Sequence, residues 1–270
     1  MASGTALYIH NDTNNDIQNR RAMVHILQLT DTHLFADPQG SLYDINTRNA
    51  LTQVIAHVKK TVKHIDVVLL TGDLVHDESV DGYLVLKSIV SDLGSPAYYL
   101  PGNHDNPAVM QQTLDNCAAH NLVSYESDNW SVVLLDSTVQ GRVEGQLSEP
   151  LLDELEQFLS TKREKHILVA LHHHMIDVHS PWLDALNLRN SDQLKSLLEK
   201  FTNVKLVVNG HVHQEIDAQR NGIRYLGTPA TCFQFAVKSK NGGADDRPPA
   251  YRHIVLHDDG SLETTVHYID

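Results

Sequence analysis

The residues Thr71-Gly72-Asp73 directly follow a largely apolar run, IDVVLL at residues 65–70. A run of this length that ends in a turn is typical of a strand buried on both faces, as in parallel sheets. The carboxylate of Asp73 is therefore expected at the end of a buried strand. An unpaired charge is costly there, so we predict that cations balance it.

The rest of the chain repeats this arrangement. Further buried-strand runs are predicted at residues 24–30, 97–100, 130–136, 166–171 and 204–208. Helical spacing of apolar residues, helix caps or both predict helices at residues 47–63, 81–93, 107–120, 148–162 and 190–201. The segment from residue 222 to 269 is rich in strands and turns at residues 258–260. This order predicts a layered α/β domain with a largely parallel core and an antiparallel end. We expect one domain over residues 23–270 and a disordered leader over residues 1–22.

Bulk properties exclude several classes of function. The formal net charge of -13 argues against a nucleic-acid partner, which needs clustered Lys and Arg. No apolar run approaches the roughly 20 residues of a membrane span. Two cysteines are too few for a disulfide framework, so the cytoplasm is the default location.

Side chains of types that can bind metal ions follow five of the predicted strands. They are Asp31, His33, Asp73, Asn103, His172, His211 and His213. The carboxyl ends of parallel strands converge, so these side chains are expected at one site. The pairs Asp31/His33 and His211/His213 are two residues apart and would point to the same side of an extended backbone. A lone histidine after a strand is more often a surface residue, but five such blocks in one chain indicate metal binding.

Seven ligands are too many for one ion and suit two ions that share a carboxylate. The mixed set of carboxylate, amide and imidazole favours Mn, Fe, Zn or Co over Ca or Mg alone. Among His172, His173 and His174, the first is chosen because it directly follows the strand, and the other two stay open.

The motifs Asp31-x-His33, Gly72-Asp73, Gly102-Asn103-His104-Asp105, His172 and Gly210-His211-x-His213 resemble the signature blocks of the calcineurin-like metallophosphoesterases. The resemblance spans residues 24–213. It implies a four-layer αββα sandwich, with two mixed β-sheets flanked by helices and a dinuclear metal site at the C-terminal ends of the strands.

The same resemblance implies roles for individual residues. One metal ion would bind Asp31, His33, Asp73 and His213, and the other Asp73, Asn103, His172 and His211. Substrate contacts are implied for His33, Asp73, Asn103, His104 and His213. His104 would be a catalytic residue that binds no metal and protonates the leaving oxygen. Asp77 is a further catalytic candidate, as the partner that orients His104.

Blocks beyond the metal ligands point to a subgroup. Residues 182–184 (WLD), 188–190 (LRN) and 228–235 (TPATCFQF) resemble the bacterial class III 3′,5′-cyclic-AMP phosphodiesterases. His76 stands where a tyrosine ligand occurs in purple acid phosphatases, and no Arg follows that could clamp a phosphomonoester. The resemblance implies hydrolysis of cyclic AMP to 5′-AMP by in-line attack of a metal-bridging hydroxide, with two transition metals, Fe and/or Mn.

The predictions for the residues around the binding site are less specific. The loops at residues 34–48, 175–189 and 228–235 are expected to shape the nucleotide pocket. Arg189 is more simply explained as a salt-bridge partner, and Cys232 as a small buried residue. Two alternatives stay open. One is a phosphodiesterase for a glycerophosphodiester or a 2′,3′-cyclic nucleotide, and the other is a non-catalytic scaffold. A homodimer is also left open.

Overall fold

Two large mixed β-sheets, their flanking helices and two small two-stranded sheets, β2-β3 and β12-β13, are the regular elements of residues 23–269, the part of the chain that the computed structural model describes. The predicted leader at residues 1–22 lies outside this range. The strands are β1 Met23–Leu29, β2 Ser41–Leu42, β3 Ile45–Asn46, β4 Val67–Thr71, β5 Ala97–Leu100, β6 Leu122–Glu126, β7 Trp130–Leu135, β8 His166–Leu171, β9 Val204–Asn209, β10 Ile216–Arg220, β11 Ile223–Gly227, β12 Gln234–Phe235, β13 Ala244–Asp245, β14 Ala250–His257 and β15 Leu262–Tyr268. The helices are α1 Thr47–Thr61, α2 Val80–Ser91, α3 Pro107–Thr113, α4 Glu149–Thr161, α5 Pro181–Asp184 and α6 Ser191–Leu198. None of these helices is long and apolar enough to cross a membrane.

Each large sheet has a parallel centre. The first sheet has the order β15-β14-β1-β4-β5, in which β1, β4 and β5 are parallel, β14 is antiparallel to β1, and β15 is antiparallel to β14. The second has the order β10-β11-β9-β8-β7-β6, in which only the edge strands β10 and β6 are antiparallel to their neighbours. The strands that carry the predicted ligands therefore all lie in parallel pairs.

Three apolar clusters separate four layers. Between the sheets, residues such as Ile26 and Leu69 pack against Val132 and Leu168. The outer face of the first sheet is covered by α1 and α2, and that of the second sheet by α4 and α6. The apolar side chains of α1 recur at Leu51, Val54, Ile55 and Val58, which places them on one buried face. The predicted αββα sandwich is confirmed.

A buried polar network joins the two sheets beneath the ligand-bearing ends. Gln28 on β1 donates to Thr71 Oγ1 at 2.9 Å and accepts from Thr228 Oγ1 at 2.7 Å. Arg252 on β14 is almost fully buried and donates to Thr228 Oγ1 and to the Gly227 carbonyl. Because buried polar groups are stable only when paired, this network fixes how the sheets sit against each other.

Two predicted helices differ from the structure. Helix α3 ends at Thr113 and does not reach residue 120. The chain instead runs beside β5, where Tyr99 and Cys117 form an isolated bridge, and Asn116 has a positive φ of 50°. The Asn190 side chain does not cap α6, because its Oδ1 accepts from the Leu147 N–H. The predicted hairpin at residues 258–260 joins β14 and β15, as expected.

A group of histidines on the first sheet makes folding stability depend on pH. Burial lowers the pKa of His253 to about 4, with repulsion from His25 and His267 as further causes. The unfolded value is about 6.5, so the unfolded chain binds the proton more readily. The resulting stability is complete above pH 6.5 and is lost as the pH falls toward 4.

We predict that the unfolding free energy of His253→Gln falls less steeply than that of wild type between pH 6.5 and 4. The difference in slope should correspond to up to about one bound proton. The reason is that the variant has no imidazole to protonate on unfolding at this position. Urea unfolding of metal-free protein at several pH values measures the slope. The same slope in variant and wild type would contradict the assignment.

Candidate metal centre

The structure brings all seven predicted ligands to one end of the two sheets. Asp31 and His33 follow β1, Asp73 follows β4, and Asn103 follows β5 in the first sheet; His172 follows β8, and His211 and His213 follow β9 in the second. Ligand atoms lie within 4.8 Å of one another in the groups Asp31/His33/His213 and Asp31/Asp73/His172. The two sheets thus each supply part of a single site.

The ligand backbone is left-handed, not extended as predicted. Positive φ angles occur at Asp31 (53°), His33 (44°), Asp73 (51°), His211 (67°) and His213 (46°). Asp31 and His33 converge on one group of ligand atoms from this backbone, and not because strand side chains alternate. Non-glycine residues rarely adopt this conformation, and such strain is concentrated at functional sites.

Two glycines allow the strand ends to approach closely. A Cβ atom on Gly102 would collide with the Asp73 carboxylate, and one on Gly210 with the Thr30 hydroxyl. Gly102 directly precedes Asn103 and Gly210 directly precedes His211. Larger residues would therefore push these ligands away from the carboxylates.

The carboxylates of Asp31 and Asp73 are buried and remain ionised. Burial opposes ionisation, but attraction to His213 lowers the pKa of Asp31, and attraction to His172 holds the pKa of Asp73 well below its usual range. His213 Nε2 lies 3.2 Å from Asp31 Oδ1, and its Nδ1 lies 2.8 Å from the Phe233 carbonyl. The contact of Nδ1 with the carbonyl orients the ring, so Nε2 faces the carboxylates.

Four buried polar atoms of this set lack a hydrogen-bond partner among residues 23–269. They are His33 Nε2, Asn103 Oδ1, His172 Nε2 and His211 Nε2. Buried polar groups are normally paired, and all four are atoms that coordinate metals. His172 fits especially well, because its Nδ1 is held by the Thr71 carbonyl at 2.8 Å while its Nε2 lies 3.4 Å from Asp73 Oδ1. The donor set therefore fits metal binding at these residues.

His173 is a weaker ligand candidate than His172, whereas His174 stays open because both of its buried ring nitrogens lack a partner among the described residues. His173 lies near His172 and His211, but Ser137 Oγ lies 2.8 Å from its Nδ1 and the Val143 carbonyl lies 2.9 Å from its Nε2. Both of its nitrogens are therefore in use. The nearest carboxylate recorded for His174 belongs to Asp184, at 3.8 Å, and not to Asp31 or Asp73.

Burial favours the neutral form of two of the four candidate imidazoles, and neutral imidazole is the form that binds metal. Burial lowers the pKa of His33 to about 3 and that of His211 well below its usual value. His172 differs. Burial alone would lower its pKa, but attraction to Asp73 raises the pKa to about 9. Metal binding at His172 must therefore displace a proton.

The predicted catalytic residue His104 lies beside the shared carboxylate. Its backbone N–H donates to Asp73 Oδ1 at 2.8 Å, and its side chain lines the cavity over the site. Its ring stacks on that of His76 with centroids 4.8 Å apart. His76 Nδ1 also lies 3.3 Å from His33 Nδ1, so His76 contacts both a ligand and the catalytic candidate. In the sequence, His76 was notable only because purple acid phosphatases have a tyrosine ligand at this position.

The hydrogen bond expected between Asp77 and His104 is not found. Asp77 instead accepts from the Ala36 N–H at 2.8 Å and from Ser79 Oγ at 2.7 Å. The positioning role predicted for Asp77 is therefore wrong in this structure, because its carboxylate caps a turn and holds the loop after β1.

Asp105 has a structural role that sequence analysis did not assign. It accepts from the backbone N–H groups of Leu74, Val75 and Gly102 and from the Tyr83 hydroxyl. These bonds tie the loop after β4 to the loop after β5. Burial raises the pKa of Asp105 to about 6, with repulsion from Asp73 as a second cause. Its position in the Gly-Asn-His-Asp motif was the available signal.

A cavity of about 410 Å³ opens over the metal ligands. All three loops expected to shape the pocket contribute to its walls, through Leu42 and Tyr43, Trp182 and Leu183, and Phe233 and Phe235. Arg189 lies outside it and pairs with Glu144 at 2.7 Å. Cys232 is fully buried, as predicted.

The family model for calcineurin-like phosphoesterases matches residues 24–215. Together with the αββα fold and the clustered metal-binding side chains, this match shows that the chain belongs to the calcineurin-like phosphoesterase family. The fold is also similar to that of a dimetal phosphatase from Danio rerio, with a TM-score of 0.65, 12% sequence identity, and coverage of 92% of this chain and 100% of the other.

Two individual relatives are similar to this chain over most of its length. The chain is 40% identical over 253 residues to the 3′,5′-cyclic adenosine monophosphate phosphodiesterase CpdA of Haemophilus influenzae, covering 92% of this chain and 91% of the relative. It is 37% identical over 249 residues to the protein of the same name from Pseudomonas aeruginosa, with the same coverage of both chains.

We predict that His172→Gln and His173→Gln differ in metal content. The His172 change removes a nitrogen that faces Asp73, so about one of two bound ions is expected to be lost. The His173 change removes a ring whose nitrogens are already paired, so both ions are expected to stay. Elemental analysis after reconstitution with Mn²⁺ measures the stoichiometry, and thermal unfolding checks that each variant is folded. Two ions in the His172 variant with one in the His173 variant would reverse the assignment.

Proposed function

We propose that this protein hydrolyses 3′,5′-cyclic AMP to 5′-AMP, with two metal ions held by Asp31, His33, Asp73, Asn103, His172, His211 and His213. The observation that carries the proposal is the group of buried, unpaired ligand atoms around Asp73. The named activity of the relatives from Haemophilus influenzae and Pseudomonas aeruginosa supports the choice of substrate.

The charge of the cavity favours a diester over a monoester. Among the described residues that line the cavity, Asp73 is the only carboxylate and there is no Lys or Arg. A dianionic phosphomonoester is usually held by an Arg clamp, whereas a singly charged diester needs less positive charge. A cyclic diester also presents a compact phosphoryl group to a site recessed beneath loops.

Iron and manganese are the proposed metals, because both accept mixed carboxylate, amide and imidazole ligands. When bound, the two ions supply Lewis acidity that lowers the pKa of water and stabilises charge on the phosphoryl oxygens. The cytoplasm is the proposed compartment. Cys117 and Cys232 are both free thiols in the structure, which suits a reducing environment.

The chain's own residues position the phosphoryl group and move the proton. Water adds its oxygen to phosphorus and releases a proton to solvent, the bond from phosphorus to the ribose 3′ oxygen breaks, and that oxygen takes a proton. His104 is placed to donate it, because its backbone is anchored to Asp73 and its side chain reaches the cavity. His76 packs against the His104 ring and restricts its orientation.

We predict that His104→Ala lowers kcat for cyclic AMP by about 100-fold to 10,000-fold while both metal ions remain bound. His104 provides no ligand atom, so the loss should be in proton transfer and not in metal content. His64→Ala is a matched control, because the His64 side chain is 57% exposed and does not line the cavity over the ligands. Chromatographic detection of 5′-AMP measures turnover, and normal kcat in a fully loaded His104 variant would remove His104 from the reaction.

A further inference from the structure

Tyr43 occupies an unusual backbone conformation at the mouth of the cavity. Strands β2 and β3 are joined by the two-residue turn Tyr43-Asp44, and both residues have positive φ angles, 49° and 62°. Turns of this kind favour Asn, Asp and Gly, so a bulky aromatic side chain here is an outlier. The residue is also 58% exposed. A strained and exposed aromatic residue beside a catalytic cavity suggests a role in binding.

Tyr43 begins a continuous aromatic wall, which we define as Tyr43, Phe233, Phe235 and Trp182. The ring centroids of Tyr43 and Phe233 are 4.7 Å apart, and those of Phe233 and Phe235 are 5.5 Å apart. Trp182 meets Phe235 at 4.9 Å in an edge-to-face arrangement. All four residues line the same cavity.

Two members of the aromatic wall contact the metal ligands directly. The Phe235 ring stacks on His213 with centroids 4.3 Å apart, and the Phe233 ring lies 5.7 Å from His33. A molecule whose phosphoryl group lies at the metal centre therefore has its remaining part against this wall. The four wall residues carry no charge, so that part should be neutral and flat.

The wall also offers one unused hydrogen-bond donor. Trp182 Nε1 is buried and has no hydrogen-bond partner among the described residues. Tryptophan N–H groups usually find a partner when buried. A planar ring that carries hydrogen-bond acceptors would satisfy both the stacking surface and this donor. A nucleobase has these properties, whereas an alkyl or glycerol group lacks the ring.

We propose that the aromatic wall is the nucleobase site, and that Tyr43 stacks on the exposed face of the purine. This inference rests on the proposed function, since it places the base of the cyclic nucleotide whose phosphate lies at the metal centre. Phe233 supports the Tyr43 ring from behind and Trp182 donates to a ring nitrogen of the base. Tyr43 thereby determines preference for nucleotides over diesters that lack a base.

The test compares two substrates with the same reacting group. Wild type, Tyr43→Ala and Tyr43→Phe are assayed with cyclic AMP and with a 1-O-methylribose 3,5-cyclic phosphate that has no base. Leu84→Ala is a matched control, because Leu84 is 49% exposed on α2 and does not line the cavity. Metal content is measured for each protein.

For cyclic AMP, Tyr43→Ala should raise KM between about 5-fold and 100-fold with little change in kcat, because base stacking is lost. The base-free substrate should be unaffected, and Tyr43→Phe and Leu84→Ala should match wild type. An unchanged KM for cyclic AMP in Tyr43→Ala would overturn the proposal. Equal losses with both substrates would also overturn it, because they would indicate a structural role.

Calorimetric titration with adenosine separates this proposal from the proposed function. Adenosine has a base but no phosphate, so its binding does not depend on hydrolysis. Weaker adenosine binding to Tyr43→Ala supports the base site even if wild type does not hydrolyse cyclic AMP, in which case only the proposed reaction fails. Equal binding to both proteins, or no binding to wild type, overturns the base site.

Discussion

The structure depends on two ionised carboxylates, Asp31 and Asp73, buried at the meeting point of the two sheets. Their oxygens lie in a group within 4.8 Å, and no Lys or Arg lines the cavity above them among the described residues. Charges this close and this buried are unstable unless cations balance them. Surrounding histidines meet part of this need, since Asp73 raises the pKa of His172. The unpaired ligand atoms around the carboxylates suit metal ions, which would supply the rest.

Other features of the fold keep these carboxylates in place. Parallel strands from both sheets end at one edge, and the left-handed residues that follow turn the ligands inward. Asp105 ties two of the ligand loops together through backbone N–H groups, and Gln28 and Arg252 fix one sheet against the other. A strained backbone persists only when its surroundings over-determine it, and these buried bonds do so.

The sequence predicted the layered fold and the clustering of the ligand candidates at one edge because both depend on simple patterns. Apolar runs that end in Asp, Asn or His specify buried strands with polar ends, as at Asp73. Finer details depend on three-dimensional partners. The order of three consecutive histidines does not reveal that Ser137 and Val143 occupy both nitrogens of His173. Likewise, Asp77 follows Asp73 closely in sequence, but its carboxylate bonds to Ala36 and Ser79, away from His104. The positive φ of Tyr43 could not be foreseen, because tyrosine does not favour that turn.

The most direct test of a dinuclear centre organised by Asp73 is a crystal structure of the Mn²⁺-loaded protein, with anomalous scattering measured to locate the ions. Two anomalous peaks are expected. One should be bound by Asp31, His33 and His213 and the other by Asn103, His172 and His211, with the Asp73 carboxylate shared between them. A single peak, or two peaks without Asp73 as a common ligand, would contradict this account.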